Sequence, residues 1–151
     1  YKFSSRTQSL YGMLKNKTGL NINILARYAF CLSLKDQSIP NPDEFDEKGM
    51  EILPSVLFGE HENIYMALML DRLKKDNLDP ELYFNKMTRA HLNRGSAILF
   101  PRIQEITDFI DIIKLEKEKN IPLEKKLKKM GVLKKGGRVS KINGIIKNKN
   151  D

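Results

Sequence analysis

Residues 21–34 of this chain read Asn-Ile-Asn-Ile-Leu-Ala-Arg-Tyr-Ala-Phe-Cys-Leu-Ser-Leu, and this stretch decides the fold. Its apolar residues recur three or four positions apart, which is the spacing of one helix face. They are Ile22, Leu25, Ala26, Ala29, Phe30 and Leu32. Asn21 or Asn23 is a suitable N-cap, and Arg27 falls on the opposite face. We therefore predict an amphipathic helix whose apolar stripe packs into a core.

The rest of the sequence extends this helical pattern in both directions. Val is scarce while Leu, Ile, Lys and Glu are common, which favours helix over strand. We predict about five helices, near residues 5–16, 22–34, 60–75, 80–94 and 101–115. Residues 35–48 are a loop, and residues 50–58 are a short strand or extended arm interrupted by Pro54. The predicted fold class is all-α, mainly helical, with at most a short extended arm and a basic C-terminal extension.

Turn and capping residues set the predicted helix ends. Gly19 is a natural left-handed stop after the first helix. Asp79 followed by Pro80 opens the fourth helix, which is expected to stop before Gly95. Pro101 opens the fifth helix. The residues expected to face the core from the third helix are Ile64, Leu68, Met69 and Leu73.

Charge is sorted into blocks along the chain, which has a formal net charge of +8. Residues 1–34 hold five basic residues and no acidic residue, whereas residues 35–85 hold five basic and twelve acidic residues. Residues 86–111 are nearly neutral, and residues 112–151 hold thirteen basic and four acidic residues. Two basic blocks that flank an acidic one indicate a polyanion-binding protein whose middle contacts other partners, such as protein subunits.

The length of 151 residues suits one domain and a tail. We expect the domain at residues 1–115 and a Lys-rich extension at residues 116–151 that is flexible or folds on binding. The basic residues of this extension are candidate DNA contacts, although such a run is as often a generic tether as a defined site. They are Lys125, Lys126, Lys128, Lys129, Lys134, Lys135 and Arg138.

Several classes of protein are disfavoured by the sequence. No apolar run is long enough to cross a membrane, and the N-terminal residues carry no secretion signal. A single cysteine, Cys31, fits a reducing cytoplasm. No spacing indicates a catalytic group, a metal site or a cofactor loop, since His61 and His91 fall in different helices and Gly136 and Gly137 stand alone. We therefore predict no catalytic residue, metal or cofactor.

Lys15, Lys17 and Arg27 form the first candidate DNA-binding set. They flank a turn and the start of the second helix, where backbone N–H groups and side-chain charge can converge on a phosphate. A solvated basic face is the alternative. The absence of any acidic residue before Asp36 favours DNA.

The segment Arg89-Ala-His-Leu-Asn-Arg-Gly contains the second candidate set, which is Arg89, His91, Asn93 and Arg94. On a helix, residues four apart share a face, so these polar donors suit a contact with nucleic acid or another subunit. The structural alternative is that His91 and Asn93 satisfy buried helix ends while Arg94 pairs with an acid from residues 35–85.

An ordered set of segments resembles the DndE family of DNA sulfur-modification proteins over about residues 5–111. The segments are Thr18-Gly-Leu-Asn-Ile-Asn-Ile-Leu-Ala-Arg-Tyr-Ala-Phe-Cys-Leu-Ser-Leu, Ile39-Pro-Asn-Pro, Phe58-Gly-Glu-His and Ala90-His-Leu-Asn-Arg-Gly.

The resemblance implies a small helical protein of bacterial DNA phosphorothioation, in which sulfur replaces a non-bridging phosphate oxygen. It further implies a homo-oligomer, often a tetramer, that acts with sulfur-transfer and ATPase-like subunits and binds nicked double-stranded DNA. The basic DNA surface of the family carries over to Lys15, Lys17 and Arg27, and no catalytic residue carries over. The tail after about Leu115 is longer than the resemblance covers.

We therefore expect a cytoplasmic DNA-binding accessory subunit that contacts the phosphate backbone without reading bases. Three alternatives remain open at this point. One is a DNA-nicking enzyme in which His91 acts as a base or metal ligand. Another is a small helical transcriptional regulator that reads an operator through its second helix. The third is a protein scaffold whose basic tail has no role in DNA binding.

Overall fold

Six α-helices provide most of the regular structure in the part of the chain that is described. A computed structural model describes the backbone of residues 1–119 and the side chains of residues 1–115. The helices are Ser5–Thr18 (α1), Ile22–Lys35 (α2), Pro54–Phe58 (α3), Glu62–Lys75 (α4), Pro80–Leu99 (α5) and Ile106–Lys119 (α6). Short 3-10 turns lie at Pro42–Glu44, Gly59–His61 and Phe100–Arg102. The predicted all-α class is confirmed.

The chain forms two compact units, Tyr1–Phe109 and Ile110–Asp151. Of the second unit, the structure describes only the end of α6, up to Lys119. Most of the basic extension predicted at residues 116–151 therefore lies outside the described residues. A domain boundary after residue 115 stays a prediction.

The extended arm predicted at residues 50–58 is present only at residues 50–52, because residues 54–58 are helical. The Phe3 N–H donates to the Met50 carbonyl at 2.9 Å, and the first residues of the chain pair with this arm in antiparallel fashion. Pro54 does not interrupt a longer strand, because it lies in the first turn of α3. Proline suits that position, where its missing N–H would have had no partner within the helix.

Helix α2 is the centre of the first unit, since it contacts α1, α3 and α5. Its buried residues are Leu25, Ala26, Ala29, Phe30, Leu32 and Ser33. The predicted apolar stripe is thus correct except at Ile22, which is half-buried, and Ser33 is an unpredicted polar member of it. A buried serine needs hydrogen-bond partners, and those partners prove to be candidate site residues.

Gly95 does not end the fourth predicted helix, because α5 continues through it to Leu99. A Cβ atom at Gly95 would lie 2.2 Å from the carbonyl oxygen of Ala29. The glycine therefore lets α5 cross α2 at a distance that no other residue allows. Its backbone is buried in this crossing and is not exposed to a ligand.

Pro101 does not open the fifth predicted helix either. It lies in the 3-10 turn Phe100–Arg102, and α6 begins at Ile106. Between them Ile103 takes an extended conformation, with φ of −121° and ψ of 117°, and its side chain is fully buried. The backbone is not helical here because the extended conformation lets the Ile103 side chain pack in the core.

The prediction for the buried face of α4 is half right. Met69 and Leu73 are buried, whereas Ile64 is 59% exposed and Leu68 is 43% exposed. A charged residue that was not predicted to be buried, Arg72, is only 7% exposed. Its guanidinium donates to backbone carbonyls at the end of α2 and in the loop after it, including those of Leu34 and Ser38, each at 2.8 Å.

Candidate nucleic-acid interface

The turn between α1 and α2 brings two lysines to the start of a helix. Gly19 has φ of 71°, in the left-handed region, and its N–H donates to the Lys15 carbonyl at 2.8 Å. This is the usual glycine ending of a helix. Lys15 and Lys17 therefore lie in the last turn of α1, immediately before α2 begins. We call residues 15–23 the α1–α2 corner.

The start of α2 lacks the side-chain cap that helices commonly have. Asn21 occupies the N-cap position but makes no side-chain hydrogen bond to the helix, and the first turn contains no acidic residue. The Ile24 N–H has the Asn23 Oδ1 atom at 3.0 Å as an acceptor. A helix end with few acceptors and no carboxylate keeps the partial positive charge of its N–H groups available to an anion.

Lys17 also connects the corner to the turn that follows α5. Its ammonium lies 4.5 Å from the centroid of the Phe100 ring. Arg102 belongs to the same 3-10 turn as Phe100 and is exposed. Because Arg102 lies two residues from the ring that Lys17 contacts, we group Lys15, Lys17 and Arg102 as the basic corner, although sequence reasoning passed over Arg102. The available signal was a basic residue directly after Pro101 in a nearly neutral stretch.

Arg27, the third member of the first candidate set, is half-buried and used within the fold. Its Nε donates to the Leu57 carbonyl in α3. Its Nη2 atom would lie 3.1 Å from a Cβ at Gly59, so the guanidinium closes over the end of α3. The structure therefore groups Lys15 and Lys17 with Arg102, and gives Arg27 an internal role.

Arg89 and Asn93 both hold other segments against α5. The Arg89 guanidinium donates to the Phe45 carbonyl at 3.0 Å. Asn93 is 1% exposed, and its Oδ1 accepts from the Ser4 N–H at 2.7 Å at the start of α1. Its Nδ2 atom donates to the Arg89 carbonyl at 2.8 Å. Asn93 cannot reach a DNA phosphate while this packing is intact.

His91 and Arg94 share one hydroxyl group deep in the fold. The Ser33 Oγ atom lies 2.9 Å from the His91 Nδ1 atom and 2.8 Å from the Arg94 Nε atom. Arginine can only donate, so Ser33 accepts from Arg94. The Arg94 Nη2 atom also lies 3.5 Å from the His91 Nδ1 atom, which makes Nδ1 an acceptor and Ser33 its donor. We therefore assign the ring proton of His91 to Nε2, which has no hydrogen-bond partner among the residues described.

The His91 ring is neutral at pH 7. Burial, which is the largest cause, and the charges of Arg94 and Arg72 together lower the pKa of His91 to about 3. The side chain is 0% exposed. A nicking base or metal ligand must reach its substrate or ion, so this position argues against the nicking hypothesis built on His91.

Arg94 completes a closure of the loop after α2. Its Nη2 donates to the Ser33 carbonyl at 2.6 Å, and its Nη1 donates to the Ser38 carbonyl at 2.9 Å. The structural alternative given in the sequence analysis, an internal role for Arg94, therefore fits. Its hydrogen-bond acceptors, however, are serine oxygens and not a carboxylate. DNA contacts by Arg89, His91, Asn93 or Arg94 stay predictions. In the structure, the hydrogen-bond partners of these side chains are internal to the fold.

The structure also bears on the regulator hypothesis, on metal binding and on membrane spans. Within α2 only Ile24 and Lys35 are exposed, so little of this helix is free to enter a major groove as the regulator hypothesis requires. Among the described residues, no group of three or more His, Cys, Asp or Glu side chains is arranged to hold a metal ion. In that same part of the chain, no helix has both the length and the apolar character needed to span a bilayer.

The predicted DNA contacts of the tail lie outside the described residues. These contacts are Lys125, Lys126, Lys128, Lys129, Lys134, Lys135 and Arg138. They stay predictions that rest on sequence alone.

Comparisons with known proteins identify the family. No curated protein matches the sequence closely enough to count as similar. The fold is similar to the crystal structure of DndE from Escherichia coli B7A, described as involved in DNA phosphorothioation modification. The TM-score is 0.54, and the identity is 24% over 66% of this chain and 93% of that chain. At that identity the likeness shows the fold alone. Residues 1–106 match the family model described as DNA sulphur modification protein DndE, so this chain belongs to the DndE family.

Proposed function

We propose that this chain is a DNA-binding accessory subunit of a phosphorothioation system, and that it binds duplex DNA through the phosphate backbone with a preference for nicked DNA. The observation that carries the proposal is the α1–α2 corner. There Lys15 and Lys17 precede a helix start whose N-cap side chain makes no capping hydrogen bond, and Arg102 lies two residues from Phe100, the ring that Lys17 contacts.

The chemistry of this corner suits phosphate more than base edges. Lysine ammonium groups on flexible stems act as point charges, which do not fix the planar, two-pronged geometry that base recognition needs. Lys15 is exposed at the end of α1 and is free to follow a phosphate as the backbone varies. Binding of this kind depends on charge and not on sequence.

The acidic block favours a second, protein-facing role. Asp43, Glu44, Asp46 and Glu47 are exposed in the loop before α3. Like charges repel, so this loop is a poor surface for DNA and a better one for the other subunits of the system. If the subunits form a homo-oligomer, each basic corner is repeated, and the repeated weak contacts reinforce one another.

The family and the fold support the part of this proposal that concerns DNA phosphorothioation. The family model is described as a DNA sulphur modification protein, and the E. coli protein of similar fold is described as involved in phosphorothioation. A protein of such a system works on DNA. An accessible basic corner is the simplest means of bringing this chain to that DNA.

The proposal is tested with full-length protein on matched intact, nicked and single-stranded DNA across a salt titration. We expect tighter binding to nicked duplex. The slope of log affinity against log salt should become shallower by about 0.9 for each phosphate contact removed in Lys15→Gln, Lys17→Gln and Arg102→Gln. Lys74→Gln is the matched control, because Lys74 is an exposed lysine of the acidic block.

A variant of the tail separates a site on the body from a tether. Lys125, Lys126, Lys128 and Lys129 are replaced together by Gln in the full chain. If this variant loses all binding while the three corner variants keep theirs, the chain holds DNA by a nonspecific tether and the proposed corner is wrong.

A further inference from the structure

Phe100 lies in the turn that directly follows α5. Its N–H donates to the Ser96 carbonyl at the end of α5, and Pro101 follows it in a 3-10 turn. The backbone that carries the ring is therefore well fixed. The ring is half-buried, and the Lys17 ammonium lies 4.5 Å from its centroid.

The contact between Lys17 and Phe100 is one that DNA can displace. A cation over an aromatic face at a partly exposed site is held weakly, whereas an ammonium bound to a phosphate oxygen makes a charge-assisted hydrogen bond. When Lys17 turns to a phosphate, the ring face beneath it becomes uncovered. The exposed Arg102 lies two residues away and supplies a second cation for the same backbone.

We propose that the Phe100 ring stacks on a base at the nick, and that this contact gives the chain its preference for nicked over intact duplex. The proposal rests on the proposed function, since it names the residue that makes the distinction. In an intact duplex each base is covered on both faces, and a backbone without a break resists opening of the stack. A nick removes that continuity in one strand, so a base face becomes available to an aromatic ring at lower cost.

Several other rings are less suited to this role. Phe3, Tyr11, Phe30 and Phe58 are almost fully buried. Tyr83 is 36% exposed, but it lies in the first turn of α5 with Glu81, whose charge repels a phosphate. Tyr83 therefore provides the matched control for loss of an exposed aromatic side chain.

The test compares wild-type full-length protein with Phe100→Leu, Phe100→Tyr and Tyr83→Leu on one duplex sequence, intact and with a single nick. Leucine keeps an apolar side chain in the turn but cannot stack. We expect Phe100→Leu to bind intact duplex as wild type does, with the same salt slope, and to lose about 5- to 100-fold in affinity for the nicked duplex. Phe100→Tyr and Tyr83→Leu should keep the preference.

A second measurement uses the wild-type protein and does not depend on how a variant folds. The base 2-aminopurine is placed beside the nick, and its fluorescence reports stacking. Wild-type protein should change this fluorescence at the nick and not in the same duplex without a nick. An unchanged signal at the nick overturns the role of Phe100, even if binding is tight.

Failure of this inference and failure of the proposed function give different results. If wild type binds no DNA, or binds nicked and intact duplex equally, the proposed function fails at that point. If wild type prefers nicked DNA and Phe100→Leu keeps that preference, only the inference about Phe100 fails.

Discussion

The α1–α2 corner and residues 89–94 of α5 contain similar side chains but use them in opposite ways. Both regions carry basic residues on a helix close to a glycine. At the corner, Gly19 ends the helix and the lysines remain near solvent. In α5, Gly95 continues the helix and draws it against α2, so the neighbouring polar side chains turn inward. The conformation of the glycine decides whether nearby charge is available to a ligand.

The two regions also differ in which basic residue they use. Arg89 and Arg94 of α5, like Arg72 of α4, donate to backbone carbonyls of the loop between α2 and α3, and so hold that loop against the helices. A guanidinium presents several donors in a fixed plane and suits this work, whereas a lysine is a flexible point charge. Counting basic residues therefore overestimates the charge that this fold offers to DNA.

The largest effect that tests this comparison should come from Gly95→Val. A Cβ at this position would lie 2.2 Å from the Ala29 carbonyl oxygen, and backbone must move to relieve the clash. We expect a loss of more than about 4 kcal/mol in the free energy of unfolding, enough to leave much of the protein unfolded. Urea unfolding followed by circular dichroism measures it.

Gly12→Ala is the matched control for the glycine crossing. Gly12 lies inside α1, and a Cβ there meets no atom within 4 Å. Alanine should raise the free energy of unfolding by about 0.5–1 kcal/mol, because it restricts the unfolded chain and favours helix. Equal effects of the two substitutions would mean that α2 and α5 do not cross at Gly95.

The second prediction concerns the pH dependence that His91 imposes. Its pKa is about 3 in the folded protein and near 6.5 when unfolded, so the unfolded chain binds more protons between these values. The stability that His91 contributes is complete above pH 6.5 and is lost as the pH falls toward 3. The full loss is on the order of 5 kcal/mol.

Unfolding of wild type and His91→Gln at a series of pH values between 4.5 and 7 isolates this contribution. Glutamine can still accept from Ser33 but does not titrate. Asp36 and Asp46 also have lowered pKa values, held down by hydrogen bonds from Ser38 and from the Lys48 N–H respectively, but their effect falls below this range and is common to both proteins. Parallel pH profiles for the two proteins would show that His91 is not buried as a neutral ring.

The sequence predicted the helical class, the position of α2 and most of its buried stripe, because helical spacing is a local property. It did not predict where α5 ends. Gly95 and Pro101 are both common helix-end residues, and only the approach of Ala29 and the burial of Ile103 explain why neither marks the boundary expected of it. Partners distant in sequence decide such boundaries.

For the candidate site, too, the sequence predicted what local signals determine and missed what distant contacts determine. Lys15 and Lys17 lie beside the turn that precedes α2, as predicted, because a glycine stop followed by an asparagine at the N-cap position is a local signal. Arg102 was missed, since the contact of Lys17 with Phe100 joins residues 83 positions apart in the chain. The inward turn of His91 depends on Ser33, a small polar residue within an apolar stripe.

Arg94→Met is the third prediction, and it addresses the buried side of the comparison. Methionine has a similar length but no donor, so the Ser33 hydroxyl and the Ser33 and Ser38 carbonyls lose a partner. We expect a loss of about 2–3 kcal/mol in the free energy of unfolding, as for other half-buried groups left without hydrogen bonds. DNA affinity, measured where the variant is folded, should change little.

Lys15→Met gives the smallest expected change in stability and completes the comparison with Arg94. Lys15 is exposed in the last turn of α1, so its loss should change the free energy of unfolding by no more than about 0.5 kcal/mol. Affinity for duplex DNA at low salt should nevertheless fall by about 1 kcal/mol, and the salt slope should become shallower by about 0.9. Fluorescence anisotropy of labelled duplex across a salt series measures both. The opposite pair of results would reverse the assignment of the two regions. If Lys15→Met is destabilised but binds DNA as wild type does, and Arg94→Met is stable but no longer binds DNA, then the basic residue that contacts DNA is Arg94 of α5.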